Sequence, residues 1–314
     1  MNFQSATNST AKLNSRLQEV TNLAEFYKPL CMGYIGSKFN NIVIVAYKEH
    51  LHDPDTALFI NHVGVYHPVF IFFNLTNNAI FSPDNMKFKK NDDIVIRALA
   101  GDGIDCDNGT HRQFCSVGFL ARDDENFNYI GTAGHCDLDG SAFYNLDPWN
   151  STTPIFLGQL VMNNLEPLDF GLIMILNKNI TPIPNIRNTD SEQYPELLIE
   201  DDIAVSSNGA HLCFSGLSSH VKCGFVEALN GFVSDGSFLR VNIFVVSMSG
   251  IHGDSGGSIF SYKQDLIHAS LNGILGSSCV PTRHKNSNPG HPGGKGHPGG
   301  KGHPVTRGWI TWVI

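Results

Sequence analysis

The chain has no excess of positive charge: 21 lysines and arginines stand against 29 aspartates and glutamates, giving a formal net charge of −8. Without the cationic excess that releases counterions from a phosphate backbone, no nucleic-acid partner is expected. Long apolar runs are also missing. Val69-Phe70-Ile71-Phe72-Phe73 and Phe170 to Leu176 fall far short of the roughly 20 residues a membrane helix needs, so a soluble chain with no membrane partner is expected. The opening Met1-Asn2-Phe3-Gln4-Ser5-Ala6-Thr7-Asn8 is polar, and no apolar core of a signal peptide follows it. Export would then need a start upstream of this sequence or an unconventional route. An even cysteine count is lacking too, since seven cysteines leave at least one outside any intrachain pairing.

Gly253-Asp254-Ser255-Gly256-Gly257 is the most distinctive stretch that is present. Glycines on both sides let the backbone turn sharply, take positive φ and admit a substrate closely, so the Ser255 hydroxyl is presented rather than packed. A hydroxyl needs a base to take its proton and a third group to orient that base. Thr132-Ala133-Gly134-His135-Cys136 offers the base, and Asp169, opening the run Phe170-Gly171-Leu172-Ile173-Met174-Ile175, offers a carboxylate at a strand start. Taken singly, each has a bland reading: a turn, a structural histidine, a strand boundary. Together, in the order His, Asp, Ser, they point to nucleophilic catalysis through His135, Asp169 and Ser255.

These residues carry a resemblance to the chymotrypsin-type serine proteases, and within them to the bacterial branch of alpha-lytic protease and the streptogrisins. It rests on Cys115-Ser116-Val117-Gly118-Phe119, the segment around His135, Gly209-Ala210-His211-Leu212-Cys213-Phe214-Ser215-Gly216 with Cys223-Gly224, and the segment around Ser255. The resemblance covers about residues 98 to 275. It implies disulfides Cys115–Cys136 and Cys213–Cys223, and leaves Cys31, Cys106 and Cys279 without an assigned partner. It implies an all-β double β-barrel with the site between the barrels, an acyl-enzyme mechanism, and an oxyanion hole from the amides of Gly253 and Ser255. No metal or organic cofactor is required, and the substrates are proteins or peptides. Activity should rise with pH through neutrality, because a histidine must be neutral to act as base.

The resemblance places the base of the specificity pocket just before Ser255, at Met248 and Ser249, with Ser270 on its wall. No carboxylate stands there to pair a basic side chain, so an apolar or small side chain before the cut is expected. The family's usual cysteine is absent at Ser249. A protease-shaped binding or decoy protein without activity is the alternative. Disulfides and the sequons at Asn8, Asn74, Asn108, Asn150 and Asn179 fit an extracellular, secreted glycoprotein.

The chain is long enough for more than one domain. Leu13, Leu17, Val20, Leu23 and Phe26 mark an amphipathic helix; strands at Met32 to Ile35 and Asn41 to Tyr47, a helix from Pro54 to about His62 and a strand at Pro68 to Phe73 follow. This α-β-β-α-β unit, residues 1–97, resembles in architecture the pro-regions of alpha-lytic-type proteases, which act as folding aid and intramolecular inhibitor; an ordinary binding domain is the other reading. Short strands from residue 98 to 284 read as the protease domain, among them Ile203 to Cys213 and Val221 to Phe232. The junction lacks the Ile-Val-Gly-Gly start of trypsin-like enzymes, so self-cleavage of a zymogen near Ala98 to Gly101 is expected instead, leaving a monomer. Residues 285–304 repeat Gly-His-Pro and Gly-Gly-Lys in collagen-like phase, too briefly for a triple helix; a disordered insert is expected, with metal binding through His291, His297 and His303 as the alternative. Residues 305–314 form an apolar C-terminal segment able to serve as a final strand.

Overall fold

The computed structural model describes residues 6–74, 96–138, 143–148, 153–188, 191–279 and 309–313. Helix α1 (Thr10–Tyr27) starts where the Ser9 side chain accepts from the Lys12 amide, and Leu13, Leu17, Val20 and Ala24 form its buried stripe. Strands β1 (Leu30–Gly36) and β2 (Asn41–Tyr47) follow as an antiparallel pair. Asp53 caps α2 (Pro54–Val63), with Pro54 in the first turn, and the crossover returns the chain to β3 (Val69–Phe73), parallel to β2. The order is the expected one.

A seven-stranded antiparallel sheet comes next, built from β5 (Gly103–Asp107), β6 (Arg112–Ser116), β7 (Phe119–Arg122), β8 (Asn128–Thr132), β9 (Tyr144–Asp147), β10 (Ile155–Asn164) and β11 (Phe170–Ile175). Its order is β6-β5-β9-β10-β11-β8-β7. The two outer strands are joined only by Val117 and Gly118, so the sheet must curl until its ends meet. Ile104, Val117, Ile130, Leu146, Leu157 and Ile173 fill the interior.

The second barrel is a closed ring. It is made from β14 (His211–Gly216), β15 (His220–Asp235), β16 (Leu239–Val246), β17 (Ser258–Tyr262), β18 (His268–Cys279) and β19 (Trp309–Val313). Each strand pairs antiparallel with the next in the cycle β15-β14-β17-β18-β19-β16 and back to β15. Closure leaves the ring no free edge of its own. β19 completes it, so the apolar C-terminal segment is a barrel strand, and the low-complexity residues 285–304, which lie outside the described residues, fall between the paired strands β18 and β19.

Two extensions leave this ring. From β18 run β13 (Glu196–Asp202), β12 (Ile180–Arg187) and β4 (Ile96–Ala100), and from β15 run β1, β2 and β3. Pairing of Leu30 with Asp235, Cys31 with Ser234 and Met32 with Val233 makes the N-terminal strands one sheet with the barrel hairpin β15–β16. The hairpin also completes the N-terminal core: Phe232 and Leu239 pack with Leu17, Val20, Phe59 and Val63.

Two strand expectations change. Ile203 to Cys213 is not one strand, because pairing stops at Asp202 and resumes at His211. β12 was hidden by Pro182 and Pro184, which cannot donate to a ladder; the strand tolerates them where its register with β4 shifts between Pro182 and Ile186.

Candidate active site

The register of two first-barrel strands brings the first pair of site residues together. Gly171 of β11 lies opposite Thr132 of β8, so the residues leading into β11 run beside those leaving β8. His135 sits there in a 3₁₀ turn (Gly134–Cys136) and Asp169 stands just before β11. Asp169 binds it twice: Oδ1 accepts from the His135 backbone amide at 2.8 Å and Oδ2 is 2.6 Å from His135 Nδ1. The carboxylate is 1% exposed, the imidazole about a third exposed at 34%. Burial alone would raise the Asp169 carboxyl; the His135 hydrogen bonds and the charges of His135 and Arg240 outweigh it and hold it below the usual carboxylate range.

Ser255 comes from the second barrel, in the turn between β16 and β17. Two glycines make that turn possible. Gly253 has φ +100° and Gly256 φ +83°, and a Cβ at Gly256 would run into the Thr132 hydroxyl oxygen and the Ser116 carbonyl. Ser116 of β6 stitches the turn to the first barrel: its amide donates to the Ser255 carbonyl at 2.7 Å and its hydroxyl to the Gly253 carbonyl at 2.7 Å. Ser255, His135 and Asp169 thereby line one cleft of about 800 Å³. Among the described contacts the Ser255 hydroxyl makes no direct hydrogen bond to His135, and the amides of Gly253 and Ser255 donate to no other described residue.

Two β-barrels with these residues at the seam form the chymotrypsin-type double-barrel architecture. The chain has that fold. No protein-family model and no curated protein sequence matches it. Its structure is similar to Thermobifida fusca Protease A, at 17% identity and a TM-score of 0.48 over 69% of this chain and 91% of that one. It is similar to the Nocardiopsis protease NAPase, at 19% identity and a TM-score of 0.48 over 69% and 92%. A third similar structure is alpha-lytic protease homolog N4, at 18% identity and a TM-score of 0.45 over 58% and 86%.

Both expected disulfides are formed, Cys115–Cys136 and Cys213–Cys223, with Cα separations of 6.1 and 4.0 Å. Cys31 and Cys106 are buried, and neither takes part in these two disulfides. The residues expected at the specificity pocket lie outside the described cleft. Met248 is buried in the second-barrel core with Phe214, Val226 and Phe244, because β16 has just ended and its inward face continues into the barrel. Ser249 is exposed, and Ser270, 2% exposed, lies on β18 where that strand pairs with β13 and β17. None of the three lines the described cleft, whose wall near Ser255 is Gly250, Ile251, His252 and Gly276.

Three features escaped sequence reasoning. Ser116 stood inside a quoted motif, yet only the folded chain shows which carbonyls it meets. Arg240, 4% exposed, reaches the Asp169 carboxylate from a hairpin remote in sequence. The third is that Leu30, Cys31, Tyr47, His50 and Phe73 of the N-terminal unit line the cleft.

Asp254, beside the serine, is fully buried. Its carboxylate accepts from the amides of Ser218, Ser219 and Ile251 and from the Ser219 hydroxyl, all neutral donors. Burial pushes its pKa up and these bonds only partly offset that. Among the described residues, these loop groups of Ser218, Ser219 and Ile251 are what hold Asp254 beside the serine.

Proposed function

We propose that the protein is a serine endopeptidase in which Ser255 attacks the scissile carbonyl, His135 takes its proton and returns it to the leaving amine, and Asp169 fixes the imidazole tautomer. The observation that carries the reading is the pair of hydrogen bonds Asp169 accepts from His135, at 2.6 Å from Nδ1 and 2.8 Å from the amide, facing Ser255 across one cleft. A buried carboxylate on Nδ1 leaves Nε2 as the basic nitrogen for the serine hydroxyl. The amides of Gly253 and Ser255, free of other described partners, are the donors for the tetrahedral oxyanion, where loss of one donor costs about 3 to 4 kcal/mol. The mechanism uses no cofactor.

Gly250, Ile251 and His252 supply no carboxylate beside Ser255, which supports a small or apolar side chain before the cut. The N-terminal unit is the intramolecular inhibitor in this reading, since its side chains wall the cleft and its sheet continues β15. Self-cleavage needs a different site from the one read in the sequence. Ala98, Leu99 and Ala100 are at most 1% exposed within β4, paired to β12, so the bond cut lies between residues 74 and 96. Two disulfides and exposed sequon asparagines at Asn74 and Asn179 support secretion, with a monomer as the released form. No described helix is long and apolar enough to cross a membrane.

Covalent labelling by a phosphonyl fluoride probe tests the reading. Wild type is expected to label and to hydrolyse neutral peptides; Ser255→Ala loses labelling, and Ser255→Ala or His135→Ala lowers turnover by about 10⁴-fold or more. Wild type that folds with both disulfides yet never labels would establish the binding or decoy protein instead.

A further inference from the structure

Arg240 is the one cation among the described ion pairs that approaches Asp169 other than His135, and nothing in the acyl-transfer chemistry calls for it. Its guanidinium is buried: the side chain is 5% exposed, Nη1 lies 2.8 Å from Asp235 Oδ2, and Nε lies 3.7 Å from Asp169 Oδ2. Nε is a buried donor without a hydrogen-bond partner in the described contacts. A buried, unpartnered N–H next to a charged acceptor is costly unless the charge itself repays it. The backbone on either side fixes the approach, with the Leu239 amide donating to Glu166 Oε1 at 3.3 Å and the Val241 amide to the Pro167 carbonyl at 3.4 Å. Arg240 also stands between two spaces, lining both the substrate cleft and a smaller hollow of about 220 Å³ behind His135.

We propose that Arg240, clamped by Asp235, is a positioning residue of the His135–Asp169 pair, holding the carboxylate against the imidazole and setting the pH at which the pair takes up a proton. The proposal rests on the reading of His135 as the base. A fixed positive charge beside the pair opposes formation of the imidazolium, so Arg240 keeps the pair ready to accept a proton from serine at lower pH. Asp235 tempers it from the same hairpin. Its Oδ1 accepts from the amides of Ser237 and Phe238 while Oδ2 holds the guanidinium. Asp235 is also the residue paired with Leu30 of β1, so the N-terminal unit docks on the strand that carries the clamp.

The other charged groups around the pair are already engaged or stand across open space. Glu166 pairs with Lys28 at 2.7 Å, Asp137 accepts from Tyr144 and Asn163, and Arg112 pairs with Asp105 at 2.7 Å. His50, His111 and His252 face the pair from other walls of the cleft. Among the described ion pairs, Arg240 alone joins a second carboxylate, Asp235, to that of Asp169.

The test follows the acid-side titration of the His135–Asp169 pair by imidazole NMR in full-length chains carrying Ser255→Ala, which cannot process themselves, and the pH profile of peptide hydrolysis in chains that keep Ser255. Arg240→Gln is expected to raise the midpoint by about half a unit to one unit, and Arg240→Lys to restore it. At plateau pH, Arg240→Gln should lower kcat severalfold with KM unchanged. Asp235→Asn, which keeps an oxygen to cap Ser237 and Phe238, should move the midpoint the opposite way. A general loosening of the hairpin would shift both variants in one direction, and that result, or an unmoved midpoint, overturns the proposal. Asp235→Asn decides the matter alone should Arg240→Gln fail to fold. Absence of labelling and turnover in wild type would remove the peptidase reading, while the NMR titration would still judge Arg240.

Discussion

Two carboxylates away from the cleft, Asp105 buried and Asp147 half-buried, show how far single residues can tune this molecule. Asp105 and Asp147 both face Arg112, and each has a buried oxygen, Oδ1 and Oδ2 respectively, without a hydrogen-bond partner. Burial, then the Asp105 charge and hydrogen bond, push the Asp147 carboxyl up to about 7 against the pull of Arg112. Because the folded-state pKa is raised, the stability it contributes is full below about pH 4 and is lost as pH rises through about 7. The unfolding free energy of wild type, from urea titration, should therefore fall between pH 5 and pH 8 by on the order of 1 kcal/mol more than that of Asp147→Asn. Asp169 has the opposite sign: its lowered pKa stabilises above pH 4 and that part is lost in acid. At this scale the candidate grouping of His135, Asp169 and Ser255, which the fold brings to one cleft, was legible in the sequence, because glycine-flanked Ser255 and the His, Asp, Ser order are local and ordered signals. That Met248 is buried in the core was not legible, because only barrel curvature decides which side of residues 247–249 faces inward.

Among elements, the β15–β16 hairpin bears the most. Phe232 is fully buried in the N-terminal core, with its ring 6.3 Å from that of Phe59, although it belongs to a barrel strand. Phe232→Ala should cost about 3 to 5 kcal/mol in chemical denaturation, and limited proteolysis should then attack α1 and α2 before the barrels. The disulfide Cys115–Cys136 closes a loop of 21 residues around the His135 turn. Replacing both cysteines by serine is expected to cost about 3 kcal/mol, read as a lower denaturation midpoint in the oxidised protein. Elements with a strong period, α1, β2 and β15, were read correctly from the sequence. β4, β12 and β13 were not, since β12 carries prolines and their pairing, part of it parallel, has no local pattern to announce it.

At the scale of the whole chain the test is processing. Ser255→Ala should accumulate uncut, and wild type should yield a new amino terminus between residues 75 and 96, read by intact mass and end sequencing. The released N-terminal piece should co-elute with the barrels in gel filtration, because the β1–β15 ladder and the Phe232 core outlast a cut in the connecting segment. A new terminus inside 98–101 would mean that β4 unpairs from β12 before the cut. The sequence by itself carried the periods of α1, β2 and β15 and the grouping of His135, Asp169 and Ser255 as a candidate site, because these depend on short-range spacing or on side-chain types with few alternative uses; the two disulfide pairs came from the family resemblance. Tertiary structure alone decided the rest: ring closure by β19, the Ser116 stitch, Arg240 beside Asp169 and the N-terminal wall of the cleft. Each of these joins residues far apart along the chain, and only the register and curvature of paired strands bring such residues within contact distance.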